Sequence, residues 1–378
     1  MRFALFYHSL VSDWNHGNAH FLRGIACELE ARGHDVRIFE PEDSWSRHNL
    51  LSECGPAALS AFQRAFPHLT STQYNVEHLA LHEWLDQVDL VIVHEWNDPK
   101  LISAIGEYRR RHPAVRVLFH DTHHRALTAR QELARFDLTG YDGVLAYGAS
   151  LKDTYQRYGW GKDVYTWHEA ADTRTFYPRQ TEHARGEIVW IGNWGDDERT
   201  AELREYFIHP VARARWNAQA YGVRYPESAL RELNDAGIAF RGWLPNFAVP
   251  EVFAEFKATV HIPRRPYARE LPGIPTIRPF EALACGIPLV SAPWQDTEGL
   301  FRIGQDFLMA HNGEEMQKHL HDIFNDASFA RSLSASGLET IRTRHTCAHR
   351  VDELLCIYDT LRPVALHQQP SAIAEVRA

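Results

Sequence analysis

Four polar segments of this chain carry residue types that could do chemistry: the loop 12–18, HDTHHR at 120–125, GNWGDDER at 192–199, and TIRPFEALACGIPLVSAP at 276–293. The last says most. Pro279 suits the first position of a helix, where its missing N–H would be unpaired anyway. Glu281 then falls in the first turn, where the helix dipole favours a carboxylate. Gly286 follows where a helix needs a left-handed stop. Ile287-Pro288-Leu289-Val290 begins a buried strand with proline at its entrance, a place where the ladder loses little. A carboxylate and Arg278 at a helix mouth between two strands is how α/β proteins hold phosphorylated ligands. An ordinary connection with a capping glutamate has the same spacing.

The segment 120–125 offers His120, Asp121, His123 and His124, all metal-ligand types. Strand geometry sends alternate side chains to opposite faces, so the four do not converge on one ion. No HExxH helix supports a metal either. A loop of hydrogen-bonded histidines, or one that touches sugar or phosphate, fits better. G-x-S-x-G is missing, which disfavours a serine hydrolase. No GxxxxGK[ST] loop appears, which disfavours a kinase or ATPase. Arg199, Arg264, Arg265 and Arg278 all fall near loops of the second half, and guanidinium forks match phosphate geometry.

The elements that must position these residues read as two α/β halves. A strand over residues 2–10, a loop, a helix over 19–32 ended by Gly33, and a strand over 35–39 make a βαβ opening. Its loop lacks G-x-G-x-x-G, so a dinucleotide fingerprint is missing. Residues 41–85 read as mostly helical with polar breaks. Strands follow at 89–94, 115–120, 141–147 and 163–168, with a helix over 99–111. The run Arg109-Arg110-Arg111 could touch anionic lipid, although a dipole-matched helix end explains it as well. The polar segment 181–186 precedes a fresh strand at 187–191. A helix then runs to about 207, short strands lie at 218–222, 238–240, 259–262 and 306–309, and helices fill 313–361. The expected organisation is an N-terminal unit over 1–180, a second over 187–345, a returning helix over 346–362 and a mobile tail over 363–378. Ligands in such sheets bind where strand ends face a cleft.

Bulk properties narrow the class. A chain of 378 residues suits two domains. No run reaches the ~18 apolar residues of a membrane span, and the start lacks a signal-peptide pattern. Five cysteines, Cys27, Cys54, Cys285, Cys347 and Cys356, form no CxxC pair, which suits free thiols in a reducing cytoplasm. A net charge of −9 argues against a nucleic-acid partner. The 23 histidines weaken any argument from one histidine alone.

Taken with FRGWLPN at 240–246 and RHTCAHRVDELLCIYD at 344–359, these segments resemble the GT-B glycosyltransferases of the group 1, family 4-like type, nearest the spore-maturation CgeB-like branch. The resemblance spans nearly the whole chain. It implies two Rossmann-like doubly wound domains facing across a cleft, with the C-terminal helix packing back on the N-terminal domain. It implies a nucleotide-sugar donor on the C-terminal side and acceptor contacts on the N-terminal side. Glu281 would hydrogen-bond the ribose, Arg199 would face the diphosphate, and Trp243 with Leu244 would border the base. Gly17, Asn18, Gly192, Asn193, Arg278, Pro279 and Phe280 would complete the donor site. His120, with Asp121 and His123, would reach the donor sugar. Many relatives carry a second glutamate eight residues before the ribose-binding one; Gly273 stands there, so the sugar end departs from the pattern.

The implied activity is transfer of a hexosyl unit from a UDP-, GDP- or dTDP-sugar to a hydroxyl on a glycan, lipid or protein. It would proceed without a metal or other cofactor and with retention. A UDP-sugar 2-epimerase of the same fold and a silent nucleotide-sugar-binding scaffold are the alternatives. The expected location is cytoplasmic, with peripheral membrane contact open. Trp14, Trp45 and Trp96 are aromatic candidates for stacking on an acceptor sugar.

Overall fold

The computed structural model describes residues 1–361; the tail expected over 363–378, and residue 362 of the returning helix, lie outside the described residues. Seven strands form the first sheet: β1 (Arg2–Phe6), β2 (Asp35–Pro41), β3 (Thr72–Tyr74), β4 (Leu90–His94), β5 (Arg116–Asp121), β6 (Gly143–Ala146) and β7 (Val164–Thr166). Six form the second: β8 (Gly186–Ile191), β9 (Ala218–Tyr221), β10 (Ile238–Phe240), β11 (Phe256–His261), β12 (Leu289–Ser291) and β13 (Leu308–Met309). The orders are β3-β2-β1-β4-β5-β6-β7 and β10-β9-β8-β11-β12-β13, and every pairing is parallel. Each order reverses beside its first strand, between β1 and β4 and between β8 and β11. Connections leave such a reversal toward opposite faces and open a crevice at the strand carboxyl ends.

Parallel sheets need cover on both faces, so their strands read as continuous apolar runs. The sequences RFALF of β1 and LVIVH of β4 fit that demand, with Phe3 opposite both Val36 and Leu90. The helix Ala19–Ala31 presents Phe21, Leu22, Ile25 and Leu29 to the core, and Gly33 at φ 79° turns the chain out of it. The helix Pro99–Arg111 opens on Asp98, whose side chain accepts from Lys100 N at 2.7 Å. At its far end Arg109 holds Asp142 with bonds of 2.8 and 2.7 Å, so one of the three clustered arginines is already committed.

Sequence reasoning missed β3, an edge strand of three residues inside the stretch expected to be helical. Three residues carry too little periodicity to announce a strand. The helix expected to end near 207 continues through a widened turn, Arg204–Ile208, to His209–Ala214. Pro210 cannot donate to the turn before it, which disfavours regular α geometry there.

The last helix, Cys347–Leu361, returns to the first sheet. Its Val351, Leu354 and Ile357 join the apolar cluster of Phe21, Ile25 and Leu29. Trp167 Nε1 donates to Arg350 O at 2.8 Å, Arg32 Nη2 to Ala348 O at 3.0 Å, and Arg116 Nε to Leu361 O at 2.8 Å. Gly24 allows this approach: a Cβ there would lie 2.5 Å from Cys347 Sγ and 2.7 Å from Asp172 Cβ. Overpacking of this kind costs about 1–3 kcal/mol, more than the few tenths of a kcal/mol by which valine exceeds glycine in helix propensity. Gly24→Val is therefore expected to lower stability by about 1–3 kcal/mol in denaturant titration; an unchanged midpoint would show that this seam is loose.

Candidate functional site between the two sheets

A cavity of about 380 Å³ lies where the carboxyl ends of the two sheets meet. From the first half come Asp13 and Asn15 to Asn18 after β1, Thr122 to His124 after β5, and Tyr147 after β6. From the second come Gly192, Asn193 and Arg199 after β8, Trp243 and Leu244 after β10, and Arg264 and Tyr267 after β11. Thr276, Ile277 and Arg278 add the start of the helix Ile277–Ala284. Two loops meet directly across it, since Asn193 Nδ2 donates to Asn15 Oδ1.

One end of the cavity is cationic. Arg199, Arg264 and Arg278 all line it. Arg199 Nε donates to Asn193 O at 3.1 Å and Nη1 to Ile262 O at 3.0 Å. It thereby ties the loops after β8 and β11 together, with its guanidinium over Trp190. Burial, and then the nearby Arg264 and Arg278 charges, bring its pKa down to about 10. Arg264 pairs with Glu198 and Arg278 with Glu281. Thr276 gives its helix no side-chain cap; its hydroxyl meets His261 Nε2 at 3.1 Å instead. The start of this helix therefore borders the cavity beside three guanidiniums, an environment that favours an anion.

The helix begins at Ile277, two residues before the start expected at Pro279. Glu281 consequently lies beyond the first turn, which holds no acidic residue, and is fully buried behind the cavity wall. Its Oε1 meets His20 Nδ1 at 3.0 Å and accepts from Asn246 Nδ2 at 2.6 Å, while Oε2 faces Arg278. His20 Nε2 accepts from Asp172 N at 2.8 Å, so the ring proton sits on Nδ1 and points at Glu281. Burial raises the carboxyl's pKa, but Arg278, His20 and Asn246 outweigh it and hold Glu281 below the ordinary carboxylate value. The expected ribose ligand is, in this arrangement, the anchor for Arg278 and Asn246. Pro279 and Phe280 are likewise core residues, with Phe280 packed on Phe301 and His345.

The histidine segment divides. His123 and His124 line the cavity. His120 does not: it is fully buried against Phe21, Trp167 and His94, with neither ring nitrogen partnered, and burial lowers its pKa to about 3. Strand alternation turns it inward, correcting its expected place at the donor sugar. Asp121 is also buried, accepting from Tyr155 OH at 2.7 Å and His123 N at 2.9 Å. Burial raises its pKa above the usual carboxylate value. Trp45 and Trp96 line the cavity. Trp14 is buried and donates to Glu53 at 2.8 Å. At Gly273, φ is +90° and a Cβ would meet Thr297 Oγ1 at 2.5 Å, so no side chain fits there.

Sequence reasoning missed Asp13, His20, Tyr147, Glu169, Asn246 and Tyr267 as site residues. Asp13 accepts from Arg23 Nη1 at 2.9 Å, Trp243 Nε1 at 3.0 Å and Asn246 N at 3.0 Å, bridging the halves. No local pattern marks a contact such as that of Asp13 with Asn246, which joins loops far apart in the sequence.

Acid sensitivity follows from the buried histidines. Burial lowers His8 and His124 to about 4, and His120, His261 and His345 to about 3. In the unfolded chain each binds its proton near pH 6.5. Below that pH the unfolded state holds protons that the native state lacks, so stability falls as pH falls. Asp121, Glu95, Glu169 and Glu30, raised by burial, act oppositely but are outnumbered. The melting temperature is expected to decline steadily from about pH 7 to about pH 4.5. His120→Leu should flatten that slope by up to ~1.4 kcal/mol per pH unit; an identical slope would show that His120 titrates normally.

Comparison with known proteins places the fold. Residues 199–356 match the family described as glycosyl transferase-like. No curated protein sequence matches the chain. Among solved structures, an α-glucosyltransferase in complex with UDP and a 13-mer DNA aligns at TM-score 0.68 and 13% identity, covering 95% of this chain and 99% of that one. An Anabaena protein, HepE, in complex with UDP and glucose aligns at TM-score 0.64 and 12% identity, over 95% and 100%. Sucrose-phosphate synthase from Thermosynechococcus elongatus aligns at TM-score 0.63 and 16% identity, over 96% and 99%. The chain has the GT-B fold, and its residues 199–356 are similar to the glycosyl transferase-like family.

Proposed function

We propose that this protein is a glycosyltransferase that moves a hexosyl unit from a nucleoside-diphosphate sugar to a hydroxyl acceptor. The observation that carries this reading is the convergence of Arg199, Arg264 and Arg278 with an uncapped helix start on one cavity between two parallel sheets. Preorganised cations at the place where diphosphate charge develops are the larger part of such catalysis. Arg264 and Arg278, each anchored by a carboxylate, are the phosphate-facing pair, while Arg199 donates to loop carbonyls and ties the loops together. Trp243 and Leu244, beside Gly222, form the apolar wall for the base. UDP in two structures of the same fold supports a nucleotide of this class.

Departure of the diphosphate is assisted by these arginines without an added ion, with retention at the anomeric carbon. Among the described residues, no helix is long and apolar enough to cross a membrane, and all five cysteines are free, which supports a cytoplasmic enzyme. The acceptor belongs to a glycan, lipid or protein. The formal charge of −9 favours these over nucleic acid, although one neighbour was captured with DNA. RPFEALACG and HTCAHRVDELL favour the CgeB-like branch.

The test is a thermal-shift and calorimetric screen with UDP, GDP and dTDP. One of them is expected to stabilise the chain increasingly with concentration; no stabilisation by any would sink the reading. Arg278→Ala should weaken that nucleotide by about tenfold to a hundredfold, the range for a charged hydrogen bond. Release of the nucleoside diphosphate should require an acceptor; release without one would favour epimerisation. Activity should survive EDTA, and restoration by Mn²⁺ after EDTA loss would overturn the metal-free route.

A further inference from the structure

Glu169 lies in the link between β7 and β8, lines the cavity, and is only 2% exposed. Its Oε1 has no hydrogen-bond partner. Tyr147, also 2% exposed and also lining the cavity, has an unpartnered hydroxyl. Two buried polar groups left open in one cavity are costly to the fold unless a ligand satisfies them. The backbone prevents either from relaxing. Trp167 N donates to Ala146 O at 2.7 Å and Ala171 N to His345 O at 2.9 Å, pinning the link on both sides of Glu169. His168 Nε2 meets Glu298 Oε2 at 2.8 Å, fixing the preceding residue. Tyr147 N donates to Asp121 O at 3.2 Å.

Tyr267 joins this corner to the cationic end. Its ring centroid is 6.4 Å from that of Tyr147, and its backbone N donates to Arg264 O at 3.0 Å. A group attached directly to a diphosphate held by Arg264 would therefore extend toward Tyr147 and Glu169. Burial, and then the Glu281 charge, raise the pKa of Glu169 well above the carboxylate value. A protonated carboxyl both donates and accepts, as a phenol does, and a sugar hydroxyl needs that combination.

We propose that Glu169 and Tyr147 form the subsite that reads the hydroxyls of the donor's hexosyl group. The inference rests on the nucleotide-sugar reading above and extends it to specificity. It is tested by measuring, with calorimetry, the affinities of UDP, GDP and dTDP against those of UDP-glucose, GDP-mannose and dTDP-glucose. For the nucleotide that binds, the wild type is expected to favour one hexose conjugate over the bare nucleotide. Glu169→Leu, nearly equal in size, should cut that preference about tenfold while leaving the nucleotide's own affinity unchanged. Tyr147→Phe should lower it several-fold, and Glu169→Gln, which keeps a donor and an acceptor, should retain most of it. Melting temperatures of the Leu and Phe variants should match or exceed the wild type, since each removes an unpartnered buried polar atom. A preference unchanged in Glu169→Leu overturns the proposal, as does a wild type that binds the conjugates no better than the nucleotide. Failure of every nucleotide to bind would instead remove the transferase reading beneath it.

Discussion

Asn246 stands between two buried carboxylates, and the shape of the cavity depends on that position. Its backbone N–H goes to Asp13 in the first half, and its side-chain amide goes to Glu281 in the second. Asp13 is held in turn by Arg23, whose guanidinium lies over Phe62 and also reaches Leu10 O. Glu281 is held by His20, stacked on Phe176 with ring centroids 3.8 Å apart. Charged and hydrogen-bonding groups from both halves thus share one buried network. Each member would leave a partner uncompensated if it moved, and that penalty far exceeds the net worth of any one bond. The loop after β1 and the start of the helix Ile277–Ala284 are consequently fixed relative to each other.

That rigidity divides the cavity into two chemically distinct ends. On one side, guanidiniums held by Glu198 and Glu281 and the start of the helix Ile277–Ala284 line the cavity, an arrangement that favours negative charge. On the other, His123, His124, Tyr147 and Glu169 offer polar atoms with the charge removed. Burial, followed by neighbouring positive groups that include Arg264, lowers both His123 and His124. A diphosphate linked to a polyhydroxylated ring has the same division of charge. The match lies in the site's own electrostatics as well as in the fold around it.

The alternating pattern of apolar runs, glycine stops and helix periods made the two parallel sheets legible in the sequence, because those features are local. Of the residues expected at a donor site, Gly192, Asn193, Arg199, Trp243, Leu244 and Arg278 line the cavity. Gly17, Asn18 and His123 line it too. Legibility ended where facing depends on tertiary geometry. His120 and Asp121 sit at a strand end whose alternation could be placed only once the neighbouring strands were known. Glu281 looked like a cap because proline suggested a helix start at 279, whereas Thr276 opens the helix with an extended backbone (φ −75°, ψ 171°). Glu169 lies in HEAAD, a short string with no periodicity and no motif, and only its orphaned burial singles it out.

The two buried glutamates show how the anchor and the reading end influence each other. Arg278 holds the Glu281 pKa down, and the Glu281 charge adds to burial in raising that of Glu169. Like charges in a shared low-dielectric region push their titrations apart, one down and one up. Glu281 therefore does more than hold Arg278 and Asn246. Through space its charge also favours the hydrogen-donating form of the Glu169 carboxyl. Neutralising Glu281 would loosen the arginine and at the same time favour ionisation of Glu169, turning a donor toward an acceptor-only group. The cationic end and the polar end of the cavity are thus electrostatically linked without any motion between the two sheets.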